Sequence, residues 1–103
     1  MRLTIHDERE DFTRQTHAYA EYRAFSGLAD REAPIEDVTV TLARRGGGEA
    51  DIGSVVCTIA VTLGTGEGAA VRAVAGHAYA AIDNAVSLMR QVPLPAAEES
   101  PAG

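Results

Sequence analysis

Lysine is absent from this chain of 103 residues, so all nine basic positions are arginine. Tryptophan is absent as well, aromatic residues make up only 5%, and Cys57 is the single cysteine. One thiol excludes an internal disulfide and any zinc site built from several thiolates, which leaves little room for redox chemistry. No run approaches the roughly 18 apolar residues that a membrane span needs. The opening residues do not read as a secretory leader either: Arg2 leads into an alternating stretch and then into His6-Asp7-Glu8-Arg9-Glu10-Asp11. The expectation is a cytoplasmic protein with no membrane partner. A hydrophobic content of 46% over this length suits one ordinary domain.

The formal net charge is -6. Sequence-independent nucleic-acid affinity comes from cations that neutralise phosphates, so the sum alone argues against it. The distribution is less one-sided. Residues 1 to 45 hold seven arginines and nine acids, whereas residues 46 to 103 hold two arginines and six acids, so any basic patch draws mainly on the first half. Arginine is also the side chain whose planar fork best matches a phosphate.

Leu3 and Ile5 alternate with Thr4 and His6, which predicts an opening strand. Ala18, Tyr22, Phe25 and Ala29 then fall at steps of four, three and four, predicting a helix over about 12–31 with Asp11 or Thr13 as its cap, Gly27 weakening its last turns and Pro34 beyond its end. Val38, Val40 and Leu42 oppose Thr39 and Thr41 on a second strand, which ends at Arg44-Arg45-Gly46-Gly47-Gly48. Val55, Cys57, Ile59, Val61 and Leu63 share one face of a third strand. Gly64-Thr65-Gly66-Glu67-Gly68 forms the turn to a fourth strand over 69–75, paired antiparallel, with Val71 and Ala73 inward and Arg72 outward. Ala78, Ile82, Ala85, Val86 and Met89 repeat at helical spacing, predicting an amphipathic helix over 78–91 stopped by Pro93.

The order β-α-β-β-β-α predicts an α+β two-layer sandwich, a four-stranded sheet with both helices packed on one face. Domain 1–92 carries the fold, and 93–103, with three prolines and two glutamates, reads as a disordered tail. The expected core is Val38, Val40, Leu42, Cys57, Ile59, Val61, Tyr22, Phe25, Ile82, Ala85, Val86 and Met89. The other sheet face, with Thr39, Thr41, Thr58 and Thr62, suits solvent.

Candidate chemistry is sparse. His6-Asp7-Glu8 reads as a solvated charged turn, since adjacent residues point in different directions and no further metal ligands recur at matching spacing. His17 stands four residues before Glu21, where helical side chains touch, and a surface contact explains that pair better than an acid and base do. The glycine run at 64–68 lacks the lysine and hydroxyl residue of a phosphate loop. Arg45-Gly46-Gly47-Gly48 is a single copy of an arginine-glycine pattern and reads as a loop spacer. No nucleophile, acid and base can be assembled into a set, so neither an enzyme nor a cofactor is expected.

The last helix carries the one specific signal. Tyr79-Ala80-Ala81-Ile82-Asp83-Asn84-Ala85-Val86, followed by Leu88 and Arg90-Gln91, resembles the second helix of the ribosome hibernation promoting factor and ribosome-associated inhibitor family. The resemblance spans about residues 2 to 91 and implies the same β-α-β-β-β-α fold. It also implies binding to the small ribosomal subunit and its RNA, in the channel where messenger and transfer RNA pass, and so a block on translation in stressed or stationary cells. By position it implies RNA contacts at Arg14 and Arg23 on the first helix, Arg90 on the second, and His77 and Tyr79 at the second helix's start. Arg44, Arg45 and Arg72 join them from charge and expected exposure alone.

Two departures stand out. Typical members are lysine-rich on both helices, and the long form's dimerising C-terminal domain has no counterpart here, so ribosome pairing by that route is not expected. The reading of the residues thus holds two alternatives open: a translation inhibitor acting by occupancy, with no DNA partner, or a diverged protein-interaction module of the same fold, with a weak homodimer through the open sheet face or an edge strand.

Overall fold

The computed structural model describes residues 1–45 and 53–95 of the chain. Its elements follow the expected order: β1 (Arg2–Asp7), α1 (Arg14–Leu28), β2 (Ile35–Arg45), β3 (Ser54–Leu63), β4 (Gly68–Ala75) and α2 (Ala78–Arg90). The strands lie in the sheet order β1-β2-β3-β4, with β1 parallel to β2 and the other pairs antiparallel. A parallel pair needs a crossover, and α1 supplies it. The glycine-rich spacer at 46–52 and the tail residues 96–103 lie outside the described residues.

Alternation dictates the sheet. Val38, Val40 and Leu42 on β2 and Val55, Cys57, Ile59, Val61 and Leu63 on β3 are buried, and the register sets Val40 opposite Ile59 and Leu42 opposite Cys57. A shift of one residue would turn this whole set to the other face, which is what fixes the register. Thr39, Thr41 and Thr58 lie half-buried on the opposite face and Thr62 is exposed. Leu63 N–H donates to Glu67 O at 2.7 Å and Gly66 takes φ 95°, which closes the β3–β4 hairpin in a backbone region that favours glycine.

Helix α2 buries Ala81, Ile82, Ala85, Val86 and Met89, the expected stripe, and His77 caps it by accepting the Ala80 N–H at Nδ1, 3.4 Å. Helix α1 is where expectation and structure part. Tyr22 and Phe25 are not core residues: they are 66% and 56% exposed. The buried stripe is instead Thr16, Ala20, Ala24, Gly27 and Leu28. Steric room explains the choice, because α1 packs closely on α2 and an idealised Cβ at Gly27 would come within 2.6 Å of Val86 Cγ1. At Gly27 the seam has no room for a larger side chain, so small residues face inward there and the Tyr22 and Phe25 rings turn out. Thr13 is the cap that starts α1, accepting the Thr16 N–H at 3.1 Å, and the helix is shorter at both ends than 12–31. Phe12, just before it, plugs the core at 8% exposure.

The two helices run parallel to each other. Since β4 lies parallel to β2 and each helix returns antiparallel to the strand before it, both helix N-termini emerge at the end of the sheet that holds the C-terminal ends of β1, β2 and β4. Among the described residues no helix is long and apolar enough to cross a membrane.

Candidate nucleic-acid interface

Three arginines fasten the helices together. Arg23 Nε donates to Asp83 Oδ1 at 2.8 Å, and Tyr19 Oη donates to the same oxygen at 2.7 Å. Burial opposes ionisation of Asp83, but the Tyr19 and Arg23 hydrogen bonds outweigh it and hold its carboxyl below the usual range. The same contacts act in reverse on their donors: the Asp83 hydrogen bond raises both the Tyr19 hydroxyl and the Arg23 guanidinium. Further along, Arg90 donates to Gly27 O at 2.6 Å, with Asp30 Oδ1 at 3.4 Å. Arg31 then donates to Met89 O and Val92 O at 3.1 and 2.6 Å, which ties the segment after α1 to the end of α2. Of the expected RNA contacts, Arg23 and Arg90 therefore hold the helix seam.

Of the other six expected residues, five stand toward the opposite end, where both helices start, and Arg72 lies on the other sheet face. Arg14 opens α1 and is exposed, Arg44 and Arg45 end β2, and His77 and Tyr79 stand at the start of α2. Arg44 lies over the Phe12 ring at 4.9 Å, an arrangement that fixes the guanidinium while leaving it exposed. Tyr79 packs on Tyr19, ring centroids 4.4 Å apart, with 42% of its surface open. Arg72 projects from the threonine-bearing sheet face, in the row His6, Thr41, Thr58, Arg72 set by the register. Among the described residues, no hydrogen bond or ion pair engages the side chains of Arg14, Arg45 or Arg72. Both helices direct their N-terminal dipole ends here, and neither carries an acid in its first turn.

One buried acid braces this end, and it corrects two expectations. Asp7 is no solvated turn residue: its side chain is 4% exposed. Its oxygens accept the Asp11 and Phe12 N–H groups, both at 3.1 Å, and His17 Nε2 lies 2.8 Å from Oδ2. His17 thus pairs with Asp7 and not with Glu21. The partner lies ten residues upstream, out of reach of a helical spacing rule. Burial alone would raise the Asp7 pKa, but the His17, Phe12 and Asp11 hydrogen bonds more than offset it and lower the carboxyl. Glu10, in the tight turn before α1, takes φ 54° and donates its N–H to Asp7 O at 3.1 Å. Among the described residues, no group of three or more His, Cys, Asp and Glu is placed to hold a metal ion.

With this geometry in hand, comparison with known proteins gives a likeness of fold. The crystal structure of the Thermus thermophilus Protein Y N-terminal domain superposes with a TM-score of 0.67 at 21% identity, covering 87% of this chain and 92% of that one. A ribosomal subunit interface protein from Coxiella burnetii superposes with a TM-score of 0.68 at 12% identity, covering 87% and 90%. The fold that the Tyr79–Val86 resemblance implies is therefore the fold this chain has in common with both. No family model matches the chain, and no curated protein matches it either.

Proposed function

We propose that this chain is a short hibernation-factor-like protein that associates with the ribosome and occupies the small subunit, blocking translation by its bulk and catalysing no reaction. The observation that carries this reading is the coincidence of two features. The fold is shared with a protein described as a ribosomal subunit interface protein, and the Tyr79-Ala80-Ala81-Ile82-Asp83 signature stands at the start of α2. Its Tyr79 and Asp83 both contact Tyr19, so the signature residues work together in joining the helices.

In this reading the end that gathers Arg14, Arg44 and Arg45, with Tyr79 and His77 beside them, meets ribosomal RNA, and Arg72 extends the contact along the sheet. Arginine forks bind phosphates in two-pronged fashion, and an exposed tyrosine ring offers a base a stacking surface. Arg23 and Arg90 contribute by holding the two helices in the orientation that presents this end. The protein would act in the cytoplasm, in stressed or stationary cells.

Sedimentation of a stationary-phase lysate through a gradient tests the reading. The protein should travel with small subunits or whole ribosomes, and a protein confined to the top fractions would refute it. The acidic balance and the internal use of three arginines favour one second reading, a module of this fold that binds a protein. That reading gains if the protein binds ribosomes with no dependence on salt.

A further inference from the structure

The edge of the sheet at β1 combines two features that single-chain folding leaves unused. Among the described residues β1 pairs only with β2, so the backbone groups on its outer side have no strand beside them. Tyr22 and Phe25 stand out from α1 over the same edge, and with Leu3, Ala18 and the carboxylate-bearing Glu21 they line an open groove of about 500 Å³. A second depression of about 250 Å³ continues it past Phe25 to Met1 and Ile35. Exposed edges are normally blunted by charge, proline or a covering element. Here Arg2 and His6 lie on one face of the strand only, and rings flank the other.

We propose that this edge and groove form a self-association surface, filled by the same edge of a second copy in antiparallel two-fold pairing. The chain's own tail is a poor occupant, since residues 96–103 (Ala-Ala-Glu-Glu-Ser-Pro-Ala-Gly) offer two acids and no large apolar side chain. A second copy fits on pattern and on charge. A two-fold axis through Thr4 sets Leu3 opposite Ile5 of the second copy and Thr4 opposite its own mate, so apolar residues meet on the helix side and polar ones on the other. On the polar side, Arg2 comes diagonally within reach of Glu8 of the second copy. Both side chains are largely exposed, at 80% and 74%, and each has only a loose partner within its own chain to exchange, Asp37 at 3.7 Å from Arg2 and His6 at 3.5 Å from Glu8. The axis also brings the two Tyr22 rings, which stand beside Leu3, toward each other over the joined strands, while each Phe25, beside Met1, flanks an outer end of the pair. One short strand and one ring cluster bury less than the about 800 Å² per partner of a standard stable interface, so the dimer forms as concentration rises. This inference does not rest on the ribosome reading.

Sedimentation velocity of the full chain over about a hundredfold range of concentration tests it. The mass should climb from 10.8 kDa toward twice that value. Tyr22→Ser with Phe25→Ser should remain monomeric throughout, and because both rings are exposed the variant keeps its fold, checked by circular dichroism. Arg2→Glu and Glu8→Arg should each weaken the dimer, and the two combined should restore it. A wild type that is monomeric at every concentration would overturn the proposal and leave the groove to another partner. So would a ring variant that dimerises as well as wild type, or a charge swap that restores nothing.

Discussion

Gly27→Ala should destabilise the domain even though it replaces glycine inside a helix. Propensity alone predicts a gain of about 1 kcal/mol, because alanine loses less backbone freedom on folding. The seam reverses the sign. The new Cβ would meet Val86 Cγ1 at 2.6 Å, far inside the roughly 3.5 to 4.0 Å of a normal carbon contact. Valine in a helix has one strongly preferred rotamer and cannot swing away cheaply. The helices must therefore part by about 1 Å, straining the 2.6 Å bond from Arg90 to Gly27 O as well. Overpacking of this kind costs about 1 to 3 kcal/mol, and the upper part of that range applies because the clash starts from backbone. Net destabilisation of about 1 to 2 kcal/mol follows. Urea denaturation should show a lowered midpoint at unchanged slope. In a double-mutant cycle, Gly27→Ala with Val86→Ala should cost at least about 1 kcal/mol less than the sum of the singles. A raised midpoint for Gly27→Ala would refute the close approach of the helices.

Ile82→Ala should cost about 2 to 5 kcal/mol, since Ile82 is 1% exposed between sheet and helices; an unchanged denaturation midpoint would contradict its place in the core. Asp7 has a folded pKa below its usual 3.8, so its contribution is fully present above that value and disappears as pH falls through the lowered one. The midpoint gap between wild type and Asp7→Asn should therefore be wide near neutral pH and narrow in strong acid, and a gap independent of pH would contradict the pairing with His17, Phe12 and Asp11. Burial pushes the Cys57 thiol up to about 12, so a thiol reagent at neutral pH should label it at the rate of opening of the fold, with labelling of the native protein at the speed of a free thiol as the contrary result.

The strands were legible in the sequence because each buries one face, and a period of two survives any detail of packing. Helix α2 was legible for a similar reason, as Ile82, Val86 and Met89 are large and fall on one stripe. Helix α1 was not. Its inward face has Leu28 as its one large apolar residue and otherwise rests on Thr16, Ala20, Ala24 and Gly27, whose role is to be small, while its outward face holds Tyr22 and Phe25, which hydrophobicity alone assigns to the core. One signal was present: three small residues at spacings of four and three mark a close helix contact. The arginines were harder still. Arg23 and Arg90 reach partners about 60 residues away, and only the folded chain separates them from Arg14, Arg45 and Arg72.

That separation also decides how the ribosome reading is best tested. Removing Arg23 would loosen the helix seam and confuse stability with binding, whereas Arg14, Arg45 and Arg72 are exposed and engage no side-chain partner among the described residues. The most direct measurement is cosedimentation of the purified protein with small ribosomal subunits at two salt concentrations, for wild type and for the triple variant Arg14→Ala, Arg45→Ala, Arg72→Ala. Wild type should bind at low salt and weaken steeply as salt rises, and the triple variant should bind far less, with a salt slope smaller by about one unit for each phosphate it no longer neutralises. A wild type that stays unbound at both concentrations, or a triple variant that binds like wild type with the same slope, would contradict the account.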